Sequence, residues 1–65
     1  MKIKEILKNE NIKHEEIRDL LDIKSKSTLS LKLNGKSHFS TSQTKKIKDY
    51  INSKTNKNYT IEELF

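Results

Sequence analysis

Apolar side chains in this chain never run beyond two in succession, as at Ile6-Leu7 and Leu20-Leu21, yet they recur at helical intervals. That spacing constrains the fold more than any other feature. Each segment can hide one stripe, so the stripes must bury one another. Ile3, Ile6 and Leu7 stand at i, i+3, i+4 and predict a first helix over roughly residues 2–10, ending near Asn9 to Asn11. Ile17, Leu20 and Leu21 repeat the pattern and predict a second over roughly 14–22. Its cap, Lys13, is a poor type, but Ile12 and Ile17 sit at hydrophobic-staple spacing, and Glu15 and Glu16 suit the positive end of the helix dipole.

The stripes have no covalent help. The 65 residues contain no cysteine, and the two histidines, His14 and His38, do not form a metal-ligand set, so neither disulfide nor structural zinc is expected. A chain of this size makes one domain at most, over 1–65, and buries only about 60% of the surface its unfolded form exposes. Nothing approaches the ~20 apolar residues of a membrane span. The start "MKIKEILKNENIK" carries charges where a signal peptide keeps its apolar segment, so a cytoplasmic location and no membrane partner are expected.

The stretch "STLSLKLNGKSHFS", residues 27–40, is locally ambiguous. Alternation of Leu29, Leu31 and Leu33 suits a half-buried strand as well as a helix. A lone strand would have no pairing partner among segments that otherwise read helical, and its backbone groups would stay unpaired. As a helix capped by Ser25 or Ser27, the segment places Leu29 and Leu33 on one face and turns Leu31 outward with Ser27, Ser30 and Asn34. Asn34-Gly35 provides the left-handed stop.

Ser40-Thr41-Ser42-Gln43 has capping-box form and opens a fourth helix carrying Ile47, Tyr50 and Ile51. The polar "SKTNKN" after Asn52 reads as an exposed loop. Thr60-Ile61-Glu62-Glu63 is a second capping box, with Tyr59 and Leu64 placed to staple a closing turn. The expected class is all-α, a compact bundle of about five short helices.

The net charge of +5 is weak evidence, because 13 of the 14 basic residues are lysine in a chain also rich in Asn and Ile, as AT-rich coding sequence would produce. Its distribution says more. No carboxylate lies between Ile23 and Lys48, a window that holds seven lysines and His38. A one-signed segment in a mixed-sign chain suits a phosphate-facing surface, since each lysine can displace a counterion without competition from a neighbouring acid. A solvated lysine face is the alternative.

These residues resemble the Cro/Xre-type helix-turn-helix family of bacterial and phage transcription regulators. "SKSTLSLKLNGKSHFS" looks like the family's turn and recognition helix, "KHEEIRDLL" like the helix before it, and "YTIEELF" like its closing turn. The similarity spans roughly residues 3–65, with "TLSLKLNGK" its most specific part. It implies a lambda-repressor-like bundle containing a helix-turn-helix, a homodimer on double-stranded DNA, and a small Cro-like regulator, most simply a repressor, that occupies an operator through a recognition helix near residues 26–34. Family base-readers match Lys26, Ser27, Ser30 and Leu31; family phosphate contacts match His14, Asn34, Lys36 and Ser37, with Ser25 and His38 flanking them. The chain departs from the pattern at Asp22, where glycine is common; at Arg18, where alanine is usual; at Lys13, where Thr or Ser is usual; and in two lengths, Leu21 to Ser27 and "NSKTNKN".

Each position also has a plainer reading. Lys26 suits guanine O6 and N7, or is a solvated lysine; Ser27 and Ser30 suit base or phosphate, or are cap and filler; Leu31 suits a thymine methyl, or packs a satellite core or dimer contact. Lys36, Ser37 and His38 follow the Gly35 stop, where N–H groups and cations can hold phosphate, or form a polar loop. Arg18 has Glu15 and Asp22 at ion-pair spacing, and Lys45, Lys46 and Lys48 read as a solvated face. There is no phosphate loop, no nucleophile with matched His and acid, and no paired carboxylates, so no enzyme, cofactor or small-molecule ligand is expected. The competing function is a phage-encoded or antitoxin-like protein-interaction module using the same basic surface; RNA binding, which favours aromatic stacking platforms, is a third. Tyr59, Ile61, Leu64 and Phe65 offer more apolar surface than one helical turn needs, consistent with the dimer that the resemblance implies.

Overall fold

Three helices stop in the same way, and those stops set the path of the chain. The structure, a computed structural model, describes residues 2–65. Its helices are α1 (Ile3–Asn9), α2 (His14–Leu21), α3 (Lys26–Leu33), α4 (Thr41–Thr55) and α5 (Ile61–Leu64), with no strand among the described residues. After α1, α2 and α3, a residue with positive φ reverses the backbone: Asn11 at 61°, Asp22 at 57° and Gly35 at 78°. The next N–H then reaches back to a carbonyl inside the helix, Ile12 to Leu7 at 2.8 Å, Ile23 to Arg18 at 2.9 Å and Lys36 to Leu31 at 2.9 Å. This is the Schellman arrangement, and it satisfies carbonyls that a helix end leaves without partners.

The helix starts follow the caps in the sequence. Ser25 Oγ accepts the Thr28 N–H at 3.4 Å, so Ser25 is the cap of α3. Ser40 and Gln43 exchange reciprocal bonds of 3.1 and 3.0 Å at the start of α4, and Thr60 and Glu63 do the same at 3.2 Å before α5. At Lys13 only one arm of such a box exists. Glu16 accepts the Lys13 N–H at 2.8 Å, while an ammonium has nothing with which to accept in return. The staple of Ile12 and Ile17, both buried, supports that start instead.

Nine side chains form one core: Ile3, Leu7, Ile12, Ile17, Leu29, Leu33, Ile47, Ile51 and Leu64. Burial decides the ambiguous stretch. Leu29 and Leu33 keep 1% and 4% of their surface exposed, whereas Leu31 keeps 48%. Phe39 and Phe65 close one side of the core edge-to-face, ring centres 5.4 Å apart. The ends of the fold meet, with the Lys2 N–H donating to the Leu64 carbonyl at 3.2 Å. The molecule measures 28 × 21 × 20 Å, and no helix among the described residues is long and apolar enough to cross a membrane.

Three sequence expectations change. The loop expected after Asn52 begins later, because α4 runs on through Thr55 and stops at Asn56 with φ 59°. Thr55 Oγ1 donates to the Ile51 carbonyl at 2.7 Å, and Lys54 reaches Glu16 on α2. A polar helical turn held by a partner 38 residues away leaves no local period to read. Arg18 makes no ion pair with Glu15 or Asp22; its guanidinium donates to the Lys24 carbonyl at 3.4 Å, which is where the left-handed turn at Asp22 carries the chain. The apolar surplus at the closing turn is largely used internally: Leu64 is buried, Phe65 stacks on Phe39, and Tyr59 is half-buried. Only Ile61, 37% exposed, faces outward.

Candidate nucleic-acid interface

The outward face of α3 follows directly from its inward one. With Leu29 and Leu33 fixed in the core, the stripe Ser27, Ser30, Leu31, Asn34 lies at i, i+3, i+4, i+7 and is exposed throughout. Lys26 is exposed at the first turn, and Lys36 just beyond the Gly35 stop. A second set of candidates meets in a groove between the start of α2 and the first half of α3, lined by Lys13, His14, Glu15, Arg18, Lys26, Leu29 and Ser30. His14, Lys26 and Ser30 therefore share one concave surface, although 16 residues separate His14 from Ser30 in the chain.

Several candidate side chains already have partners. Ser25 Oγ caps α3 and lies 2.9 Å from Ser27 Oγ, so the two hydroxyls share a hydrogen bond. Asn34 donates from Nδ2 to Ser30 Oγ at 3.3 Å and accepts from the Lys4 ammonium at 3.0 Å, a contact between α1 and the end of α3 that no local spacing announces. The His38 carbonyl accepts from Lys32 Nζ at 2.8 Å, and that ammonium lies 5.6 Å from the centre of the Phe39 ring. Ser37 is half-buried, and it lines a separate hollow with Gly35, His38, Phe39, Thr44 and Phe65. The candidates thus divide between the α3 stripe with its groove and the turn after Gly35.

Charge is sorted by pairing as well as by sequence. Two carboxylates act as hubs whose side-chain partners lie on α4 and in the segment before α5. Glu16 accepts from Lys54 and from the Tyr50 hydroxyl at 2.6 Å, and Glu10 accepts from Lys57 at 2.6 Å and from the Tyr59 hydroxyl at 2.6 Å. In each hub the lysine also sits over the ring of the same tyrosine, at 5.7 and 5.8 Å. Donation by Lys54, then Tyr50 and the Lys13 N–H, lowers the Glu16 carboxyl to about 2; Lys57 and then Tyr59 lower Glu10. Tyr50 and Tyr59 are raised because their hydroxyl protons are held by the carboxylates.

Among the described residues the remaining ion pair is Lys48 with its neighbour Asp49, at 3.5 Å. Lys24, Lys26, Lys32, Lys36, Lys45 and Lys46 have no carboxylate within ion-pair distance. The hubs were not anticipated from sequence, since each joins residues 34 or more positions apart. No family model matches the chain, and neither a curated protein nor a solved structure matches it.

Proposed function

We propose that the chain is a small sequence-specific DNA-binding regulator of the Cro/Xre helix-turn-helix kind, a repressor that occupies its operator with α3. What supports the reading is the outward stripe of α3: an exposed leucine among short polar side chains, rimmed by lysines that no carboxylate neutralises. On such a surface Lys26 donates to guanine O6 and N7, Ser27 and Ser30 bond base edges or phosphate, and Leu31 covers a thymine methyl. The Lys36 ammonium holds backbone phosphate, the N–H groups of Lys36 and Ser37 being used on the Leu31 carbonyl, while His14 approaches phosphate from the start of α2. Asn34 serves by fixing Ser30, and Ser25 by capping the helix that carries the readers.

Selection of bound DNA from a random pool tests this directly, with half-sites expected at a spacing near one helical turn, about 34 Å, if two copies bind a palindrome. Affinity should fall steeply with salt, with a log–log slope of about −0.9 per phosphate contact. A Lys26/Ser27/Leu31 triple-alanine variant that keeps full affinity for the selected site would overturn the role of this face. The exposed Leu31 also suits an apolar pocket on an acidic protein, which is the basis of a second reading as an interaction module. Charge reversal at Lys26 and Lys36 separates the two: loss of a protein partner with no DNA shift even at low salt favours the module.

A further inference from the structure

Asn34-Gly35 is the only asparagine in the chain followed by glycine; the others precede Glu10, Ile12, Ser53, Lys57 and Tyr59, all of which carry a Cβ. We propose that Asn34 is a site of spontaneous deamidation assisted by Lys4, which places a carboxylate in the segment from Ile23 to Lys48 that has none of its own.

Three features meet there. Gly35 has φ +78°, and nothing lies within 4 Å of where its Cβ would be, so no side chain on that side crowds an attack by its backbone nitrogen once the N–H leaves the Lys32 carbonyl. Asn34 is exposed at the end of α3. The Lys4 ammonium donates to Asn34 Oδ1 at 3.0 Å, withdrawing electron density from Cγ and standing where an oxyanion would form. Two bonds hold the pair closed, Gly35 N–H to the Lys32 carbonyl at 3.2 Å and Asn34 Nδ2 to Ser30 Oγ at 3.3 Å. Both lie at an exposed helix end, the part of a fold that opens at least cost.

The chemistry needs only water. The Gly35 nitrogen loses its proton to solvent and attacks Asn34 Cγ, forming an N–Cγ bond and a tetrahedral oxyanion on Oδ1 beside Lys4. The Cγ–Nδ2 bond then breaks, and Nδ2 takes up a proton and departs as ammonia, leaving a five-membered succinimide. Water opens that ring at Cγ to give aspartate, or at the backbone carbonyl to give isoaspartate. The sum is one water consumed and one ammonia released. Isoaspartate also lengthens the main chain within the stop that holds Lys36 N–H on the Leu31 carbonyl.

The consequence for DNA rests on the function proposed above: a new negative charge between Leu33 and Lys36 opposes phosphate and lowers affinity about tenfold at low salt. The experiment ages the full chain in mildly alkaline buffer, with tryptic peptides spanning Leu33–Lys36 resolved by mass spectrometry into amide, aspartate and isoaspartate forms. Conversion is expected at Asn34 well ahead of the other asparagines, and Lys4→Gln should slow it about fivefold in the folded protein, the reach of one exposed charge contact. In urea, where Lys4 no longer faces Asn34, parent and variant should convert at equal rates. Conversion of Asn34 no faster than the other asparagines, or a Lys4→Gln rate equal to the parent's in the folded state, overturns the proposal. Asn34→Asp mimics the product for DNA binding. If the parent binds DNA and this variant binds equally well, the effect on binding is refuted. If the parent binds no DNA, the proposed function fails while the modification stands on its mass-spectrometric evidence.

Discussion

Replacing Asp22 by glycine should stabilise the protein. Asp22 holds the left-handed position that ends α2, with φ 57° and ψ 37°, and its side chain makes no hydrogen bond or ion pair among the described residues. A Cβ in that conformation costs about 1 kcal/mol, somewhat less for Asp than for most residues. A negative charge at the C-terminal end of the helix dipole adds about 0.3–1 kcal/mol against it. Glycine removes both and returns about 0.5–1 kcal/mol through the greater freedom of its unfolded chain. The net gain is about 0.5–1 kcal/mol, which is about 2–8 °C in Tm for a domain of this length. Asp22→Asn removes the charge and keeps tolerance of the left-handed region, so it should gain about 0.5 kcal/mol; Asp22→Ala removes the charge but keeps the Cβ, so it should be neutral or lose about 0.5 kcal/mol. Thermal melts followed by circular dichroism, with urea midpoints as a second measure, give the ranking. Alanine melting as high as glycine would refute the conformational part of the reasoning. Glycine and asparagine melting below the parent would mean that Asp22 makes a favourable interaction the structure does not contain.

Acid should weaken the fold through its carboxylate hubs. The folded Glu16 carboxyl is lowered to about 2 from 4.5, so its contribution is fully present above 4.5 and is lost as pH falls toward 2; Glu10 is shifted in the same direction. Urea midpoints should decline across that window, and Glu16→Gln should flatten the decline. Leu64 is fully buried in the closing turn, so Leu64→Ala should cost about 2–5 kcal/mol, enough to leave much of the chain unfolded at room temperature, as circular dichroism would register. In DNA titrations Lys36→Ala should weaken every sequence alike and reduce the salt slope by about 0.9, whereas Lys26→Ala should lose about 1–3 kcal/mol of discrimination at one or two base pairs.

The helices were legible because they rest on local chemistry. Apolar triplets, two capping boxes and the Asn34-Gly35 stop each act within a few residues, and the outward turn of Leu31 follows once Leu29 and Leu33 face inward. What escaped the sequence acts beyond the reach of helical spacing. The last turn of α4 depends on Glu16, Arg18 answers to the Lys24 carbonyl where its charged neighbours suggested ion pairs, and Asn34 is held from α1 by Lys4. In the candidate interface the stripe on α3 could be drawn from spacing alone. The groove that brings His14 beside Lys26 and Ser30 could not, because it depends on how the left-handed turn at Asp22 aims one helix against the other.

The bond from Lys2 to Leu64 has a mechanical consequence. Load applied between residues 2 and 65 falls first on that bond and on α5, a helix of four residues whose one large anchor in the core is Leu64. Contacts there break one after another, as in a zip fastener, so the molecule should yield to a weak pull. Joining the two ends with a short linker and opening the chain between α3 and α4 moves the grips to Lys36 and Phe39. Tension would then cross the core packing of Leu33, Ile47 and Ile51, and the same residues should resist a larger force.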